Sequence, residues 1–317
     1  MVRELREQDI QCSIAQAASV IGDWWSLLIV REVTRGHRRF DDLLRELGIS
    51  RKVLTERLKH LVDHGVLTRE PYQARPMRHE YVLTETGWAL APTLISMQDW
   101  ADRWLLGDGS VTGAPRAGGT EISRVHALLG TKVPAPLVLP TSSPNPAPLA
   151  LPTGSPRPAQ LDVVAGSPRP AQLDVVADAN ATILFAYPST GPATSLPPDW
   201  DQVPGTVGCT LENRLFRDRH PELAGAGVAV HGVSTQRPDQ QAAFAAAESI
   251  PFPLLSDMDL RLAAALRLPT FRAGQDLKLK RLILVIDRYR IIRHVIFPVL
   301  DIPAAITEAT DAARTLA

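Results

Sequence analysis

FDDLLRELGISRKVLTERLKHLVDH, residues 40–64, decides the fold of the first third of the chain. Phe40, Leu43, Leu44 and Leu47 fall on one face of a helix. Gly48 follows, where a helix end favours a left-handed residue. Ser50 is a natural N-cap for a second helix over Arg51–His64. That helix would bury Leu54, Leu58 and Leu61 and present Arg51, Lys52, Thr55 and Lys59 on its other face. Two short helices around a tight glycine turn make a helix-turn-helix, whose second helix enters the major groove.

Working outward, Gly65-Val-Leu-Thr-Arg69 starts a strand, Tyr72–Arg78 reads as a polar loop, and Glu80–Leu83 returns as a second strand. This is a β-wing with Arg75, Arg78 and His79 near its tip. Between residues 35 and 79, eleven Lys and Arg face six Asp and Glu, an excess of five in a chain of zero net charge. Arg38 and Arg39 belong to that excess. Phosphate contacts would use it, so binding to double-stranded DNA should weaken with salt.

The 317 residues suffice for two cores. No apolar run is long enough to cross a membrane, and the charged start MVRELREQDIQC lacks a signal-peptide core, so a cytoplasmic protein with no membrane partner is expected. Two cysteines, Cys12 and Cys209, do not make a disulfide scaffold. The histidines show no metal spacing, and no phosphate-loop or GxSxG pattern is present, so neither metal nor cofactor is expected.

Residues 107–122, GDGSVTGAPRAGGTEI, read as a flexible linker. They separate a domain over 1–106 from one over 123–317. A Pro-rich repeat of twelve residues occupies about 139–174, with GSPRPAQLD in two copies. It reads as a duplicated surface-loop insertion, with a polyproline ligand as the other reading. After it come a strand ATILFAYP (181–188), a helix at 211–220, a strand GVAVHGVST (227–235) and helices at 238–249 and 260–268. A hairpin of RLILVID (281–287) and IIRHVIFP (291–298) and a last helix follow. The expected fold class is multidomain α+β and α/β: a winged helix-turn-helix, then a thioredoxin-like layer.

Cys209 ends the Gly-rich loop PGTVG and begins a helix, a position where the dipole and free N–H groups favour a thiolate. The Thr206 hydroxyl is expected to bond the sulfur or a peroxide oxygen. Arg281, opening a strand beside 181–188, would supply the cation.

CSIAQAASVIGDWWSLLIVREV, RRFDDLL, GISRKVLTERLK and YVLTETG resemble the HxlR family of bacterial winged-helix regulators over about residues 8–105. The resemblance implies a homodimer, with the helix near Ser13–Ile21 and one over roughly Thr86–Leu105 packing between protomers. The latter carries Trp88, Leu90, Leu94, Met97, Trp100 and Trp104, a stripe equally suited to intradomain core. Cys12 falls where several members keep a sensor cysteine; a buried structural thiol is the other reading.

FAYPSTG, PGTVGCTLENRLFRDRHPEL, FPLLSD, LRLPTF and KRLILVID resemble the peroxiredoxins, in the bacterioferritin-comigratory (Q-type) branch, over about 123–317. The resemblance implies Cys209 as peroxidatic cysteine, with Thr206, Arg281 and Glu212 around it. Two positions depart. The proline seven residues before the cysteine is Gln202, and the resolving cysteine five residues after it is Arg214. A sulfenic acid would then need another thiol: a small thiol reductant, a redox protein, Cys209 of a second protomer, or Cys12. The leading expectation is a redox-responsive, DNA-binding transcription regulator that senses peroxide through Cys209. The alternatives are a one-cysteine thiol peroxidase with a DNA-binding module, and a plain repressor with an inert thiol.

Overall fold

A computed structural model describes the chain except residues 1–8, 76, 107–113, 115–119, 142–170, 192–199, 201–202 and 275. Most of the expected linker and of the Pro-rich repeat, and Gln202, lie outside the described residues.

The N-terminal elements are α1 (Ser13–Ile21), α2 (Trp24–Thr34), α3 (Phe40–Leu47), α4 (Arg51–Asp63), β1 (Leu67–Ala74), β2 (Met77–Leu83), α5 (Glu85–Trp88) and α6 (Ala91–Trp104). The turn between α3 and α4 follows the sequence closely. Gly48 is left-handed at φ 59°, and the Ser50 hydroxyl accepts from Val53 N at 3.3 Å. Leu54, Leu58 and Leu61 sink into a core with Ile29, Val33, Leu43 and Val66.

Two expectations need correction here. The segment 72–78 is mostly strand: β1 and β2 pair from Leu67↔Leu83 to Ala74↔Met77, and Arg75 sits in the turn. Backbone pairing in a long ribbon overrides the polar composition that suggested a loop. The helix expected over Thr86–Leu105 is two helices. The Thr84 hydroxyl accepts from Gly87 N at 3.1 Å to cap α5, and the chain then turns at Ala89–Leu90 into α6, with Pro92 in its first turn. A proline lacks an N–H and cannot continue a preceding helical ladder, but it suits a helix start.

The second half comprises α7 (Glu121–His126), β3 (Val138–Pro140), β4 (Gln172–Asp174), β5 (Ala181–Ala186), α8 (Cys209–Gly225), β6 (Val228–Ser234) and α9 (Pro238–Glu248). Then follow β7 (Leu254–Ser256), α10 (Arg261–Leu266), β8 (Thr270–Ala273), β9 (Asp276–Leu279), β10 (Leu282–Asp287), β11 (Ile292–Ile296) and α11 (Ile302–Arg314). Five strands form one sheet in the order β11-β10-β5-β6-β7. β5, β6 and β7 run parallel, and β10 and β11 are antiparallel. Central strands with continuous apolar sequences, ATILFA and LILVID, are buried on both faces, as helices on either side require. The stretch just after the expected linker is helical (α7) rather than strand-like, and β7 and the β8–β9 hairpin add strands that the sequence did not signal. β3 and β4 pair through Leu139↔Leu173, so the ends of the repeat segment are held side by side.

The two halves pack together. α6 lies against α10, and its Ala91 and Ile95 join the core that contains Leu262, Leu266 and Leu284. The apolar stripe expected over this segment divides: Trp88 of α5, Leu90 of the turn and Leu94 of α6 pack on the helix-turn-helix core, while Met97, Trp100 and Trp104 of α6 are exposed.

Candidate functional site

The loop before α8 turns through Gly205 (φ 86°) and Gly208 (φ 101°). Gly208 is doubly constrained, because a Cβ there would also lie 2.4 Å from Ile302 Cδ1. This turn delivers Cys209 to the first position of α8, beside β5 and β10. Register explains the cation: Leu282 pairs with Ala186, so Arg281 enters the sheet at the end of β5 that faces α8. Arg281 Nη2 donates to Cys209 Sγ at 3.4 Å and to the Val207 carbonyl at 3.0 Å, while Nη1 donates to Glu212. Three of the four expected residues therefore meet.

Thr206 differs from expectation. Its hydroxyl donates toward the carbonyls of Trp200 and Val203 (2.5 and 2.7 Å), and its main-chain carbonyl accepts from the Cys209 thiol at 3.2 Å. Its single proton closes the loop on itself, so its side chain acts here on loop shape.

The expected thiolate is also corrected. Cys209 is only 4% exposed, and burial pushes its thiol above the ordinary value. Arg281 opposes this, but it shares its charge with Glu212, whose own negative charge adds to the upward push. Burial likewise raises the Glu212 carboxyl to about 7 against the pull of Arg281. One cation thus serves two competing anions. A cavity of about 260 Å³, lined by Val207, Arg281, Pro298, Leu300 and Ile302, opens beside this group.

Sequence reasoning missed Lys280. It is fully buried, 2.6 Å from Glu121 at the start of α7 and 3.3 Å from the Ala114 carbonyl. It precedes Arg281 in the short connection between β9 and β10, and a Lys next to a functional Arg was the available signal. Arg214, at the expected resolving position, makes a two-pronged pair with Glu248 at 2.7 and 2.9 Å. Cys12 is exposed at the N-cap of α1, and both cysteines are free thiols.

On the winged helix, Lys52, Arg75 and Arg78 are exposed. Arg51 lies 3.4 Å from Asp41, Lys59 is 2.8 Å from Asp63, and the Thr55 hydroxyl donates to the Arg51 carbonyl. Arg69 contacts His79 at 3.3 Å. Arg39 pairs with Glu80 of β2 through a main-chain β-bridge, and its guanidinium stacks over Tyr72 at 4.3 Å. Arg38 departs from the group: its guanidinium donates to the Ala135 carbonyl at 2.7 Å, in the other half of the protein.

Residues 20–108 match the model of HxlR-like helix-turn-helix proteins. An uncharacterized HTH-type transcriptional regulator of Mycobacterium tuberculosis is 40% identical over 118 residues, 37% of this chain and 69% of that protein. The uncharacterized HTH-type transcriptional regulator YvaP of Bacillus subtilis is 38% identical over 91 residues, 28% of this chain and 84% of its own length. The chain belongs to the HxlR-like helix-turn-helix family. Unlike these relatives' matched regions, this HxlR-like chain continues into a segment, residues 202–295, that matches the AhpC/TSA family. Its architecture is also similar to the crystal structure of peroxidoxin BcpB from Mycobacterium tuberculosis, with 26% identity and a TM-score of 0.42. That match covers 60% of this chain and 97% of the other. The two family matches make the protein a transcription-regulator helix-turn-helix joined to a peroxiredoxin-like domain. Among the described residues, no single helix is long and apolar enough to cross a membrane.

Proposed function

We propose that this protein is a homodimeric, redox-responsive regulator of double-stranded DNA, in which a peroxide oxidises Cys209 and the change is passed to the winged helices. The observation that carries the reading is a continuous polar route between the two halves. Cys209 meets Arg281, and Arg281 adjoins Lys280. Lys280 holds Glu121, and Arg124, 3.9 Å from Glu121, reaches Asp102 of α6 at 3.8 Å. The route ends on the helix whose other face exposes Met97, Trp100 and Trp104, the expected contact between protomers.

In the chemical step the Cys209 thiolate attacks the terminal oxygen of ROOH. An S–O bond forms, the O–O bond breaks, and the alkoxide leaves as ROH after taking a proton. Sulfur is oxidised by two electrons and the peroxide is reduced by two. The thiolate forms when the Cys209 thiol gives its proton to solvent, and Arg281 stabilises the charge left on sulfur; with Glu212 protonated no second anion opposes that charge, and reaction uses this form. The sulfenic acid then condenses with a second thiol and releases water. With Arg214 tied to Glu248, that thiol comes from outside this domain.

Arg51, Lys52, Lys59, Arg75 and Arg78 form the DNA-facing set, with Ser50 fixing the start of α4. Peroxide titration of DNA binding, paired with mass spectrometry, tests the reading. A DNA response that persists unchanged in Cys209→Ser would end it. Rapid multiple turnover of peroxide with an added thiol, without change in DNA binding, would favour the peroxidase.

A further inference from the structure

A cleft of about 780 Å³ opens between the two halves. The size falls within the range of small-molecule sites. One wall is the turn after α2, and the other comes from the chain after α7 and the end of α10. Neither half makes it alone. Gly36 and Pro134 approach where the walls meet: a Cβ on Gly36, at φ 96°, would lie 3.3 Å from the Pro134 ring.

The lining is strongly cationic. Arg35, Arg38, Arg39, Arg124, Lys132 and Arg267 face it, against two carboxylates, Asp42 and Glu80. Behind the wall, Glu32 lies 3.1 Å from Arg35, and Asp102 lies 3.8 Å from both Arg124 and Arg267. Glu121, itself held by Lys280, lies 3.9 Å from Arg124; with all three of these counted, the positive charge of the lining still exceeds the negative by one. Lys132 and Arg39 have no carboxylate within 4.0 Å among the described residues. The cations also repel one another. The Arg267 guanidinium is pulled below its ordinary pKa by burial first, then by Arg124, and also by Arg35 and Arg31, with Asp102 opposing.

Arg267 ends α10 with φ 51°, the left-handed turn that commonly closes a helix and that Ser249 also adopts at the end of α9. This turn places a long cation at a cleft that already holds five others.

We propose that this interdomain cleft binds a small multivalent anion, such as a phosphorylated or polycarboxylate metabolite, as an effector that clasps the redoxin half to the winged helix. Arg38 and Arg39 grip it from the side of the wing, and Lys132 and Arg267 from the opposite wall. Duplex DNA is a poorer occupant. Arg124 is 15% exposed and Arg35 28%, recessed below the reach of a phosphate on a rigid duplex. The bound anion would fix the two halves relative to each other whatever the oxidation state of Cys209.

Calorimetric titration of the full chain with inorganic pyrophosphate and with citrate tests this, against sodium chloride of equal ionic strength. One saturable site per chain is expected, together with a raised unfolding midpoint. Lys132→Ala combined with Arg267→Gly should weaken it at least tenfold. Glycine is the residue the left-handed position prefers, so the ligand-free midpoint of that variant should not fall. Heat no larger than that of the salt control would overturn the proposal. So would equal affinity in the variant. A variant that loses affinity for a random-sequence duplex, in a protein that binds neither anion, would assign the cleft to the DNA backbone and also refute it.

Discussion

Glu212→Gln should lower the pKa of Cys209 and make the thiol more reactive at neutral pH. The Arg281 guanidinium stands 3.4 Å from the sulfur and also holds the Glu212 carboxylate. At an effective dielectric near 20, a unit charge at that distance is worth about 5 kcal/mol. The Glu212 charge repels the thiolate and opposes that attraction, so neutralising it should lower the thiol pKa. At a pH below the pKa, each unit of that fall raises the thiolate fraction about tenfold. A less basic thiolate is also a weaker nucleophile, by ~3-fold per unit for a Brønsted coefficient near 0.45, so the net gain is ~3.5-fold per unit. The assay is the rate of Cys209 alkylation from pH 6 to 10 in a Cys12→Ser background. A pKa that stays put or rises, with alkylation no faster at pH 7, would refute the shared-cation argument.

Four further outcomes follow from the same geometry. Burial raises the Glu212 carboxyl to about 7, above its unfolded value, so the native state holds the extra proton between about pH 4.5 and 7. Its stabilising contribution is therefore complete below that window and lost as pH rises through it; urea midpoints should show this slope in wild type and a shallower one in Glu212→Gln. Gly208→Ala should cost about 1–3 kcal/mol, from the left-handed φ and the 2.4 Å approach to Ile302 Cδ1, and Ile302→Val, which removes that atom, should recover part of the loss in thermal melts. Lys52→Ala and Arg78→Ala should each reduce the slope of log affinity against log salt by about one in duplex titrations. Lys280→Met should destabilise by about 3 kcal/mol, by removing the nearest cation from buried Glu121 and leaving Arg124 at 3.9 Å, and should leave Cys209 oxidation intact while shrinking the oxidation-dependent change in DNA affinity.

What was legible in the sequence was local. Gly48, Ser50 and the spacing of Leu54, Leu58 and Leu61 act within a few residues of one another, so the helix-turn-helix could be read directly. The meeting of Cys209 and Arg281 was legible because two apolar strands of matching length had to pair, and pairing fixes register. The break between α5 and α6 was visible in Pro92, but the long stripe of aromatics masked it. Other features depend on contacts that no local pattern encodes. Lys280 and Glu121 are 159 residues apart, and the burial that raises the Cys209 thiol depends on the surrounding core. Thr206 was recognisable as a residue of the loop, but not the direction of its hydroxyl, which two nearby carbonyls decide. The cationic cleft exists only once both halves are in place.

α6 has to satisfy two surfaces at once, and in the proposed function it is the path by which a change at Cys209 would reach DNA. Its Ala91, Ile95 and Asp102 are buried toward the redoxin half, and its Met97, Trp100 and Trp104 stand out on the surface. A helix of fourteen residues is about 21 Å long and bends little. A tilt of only about 5° about the point where Arg124 meets Asp102 would displace the opposite end of α6, at Ala91 beside the helix-turn-helix core, by about 1.5 Å. If the exposed aromatics pack against a second copy, that displacement changes the spacing of the two α4 helices. Half-site spacing is fixed by the helical repeat of DNA, so a shift of this size can decide binding. The same logic gives the cationic cleft its place. Its cations Arg124 and Arg267 both reach Asp102, so an anion bound there and an oxidised Cys209 would act on one hinge from two sides.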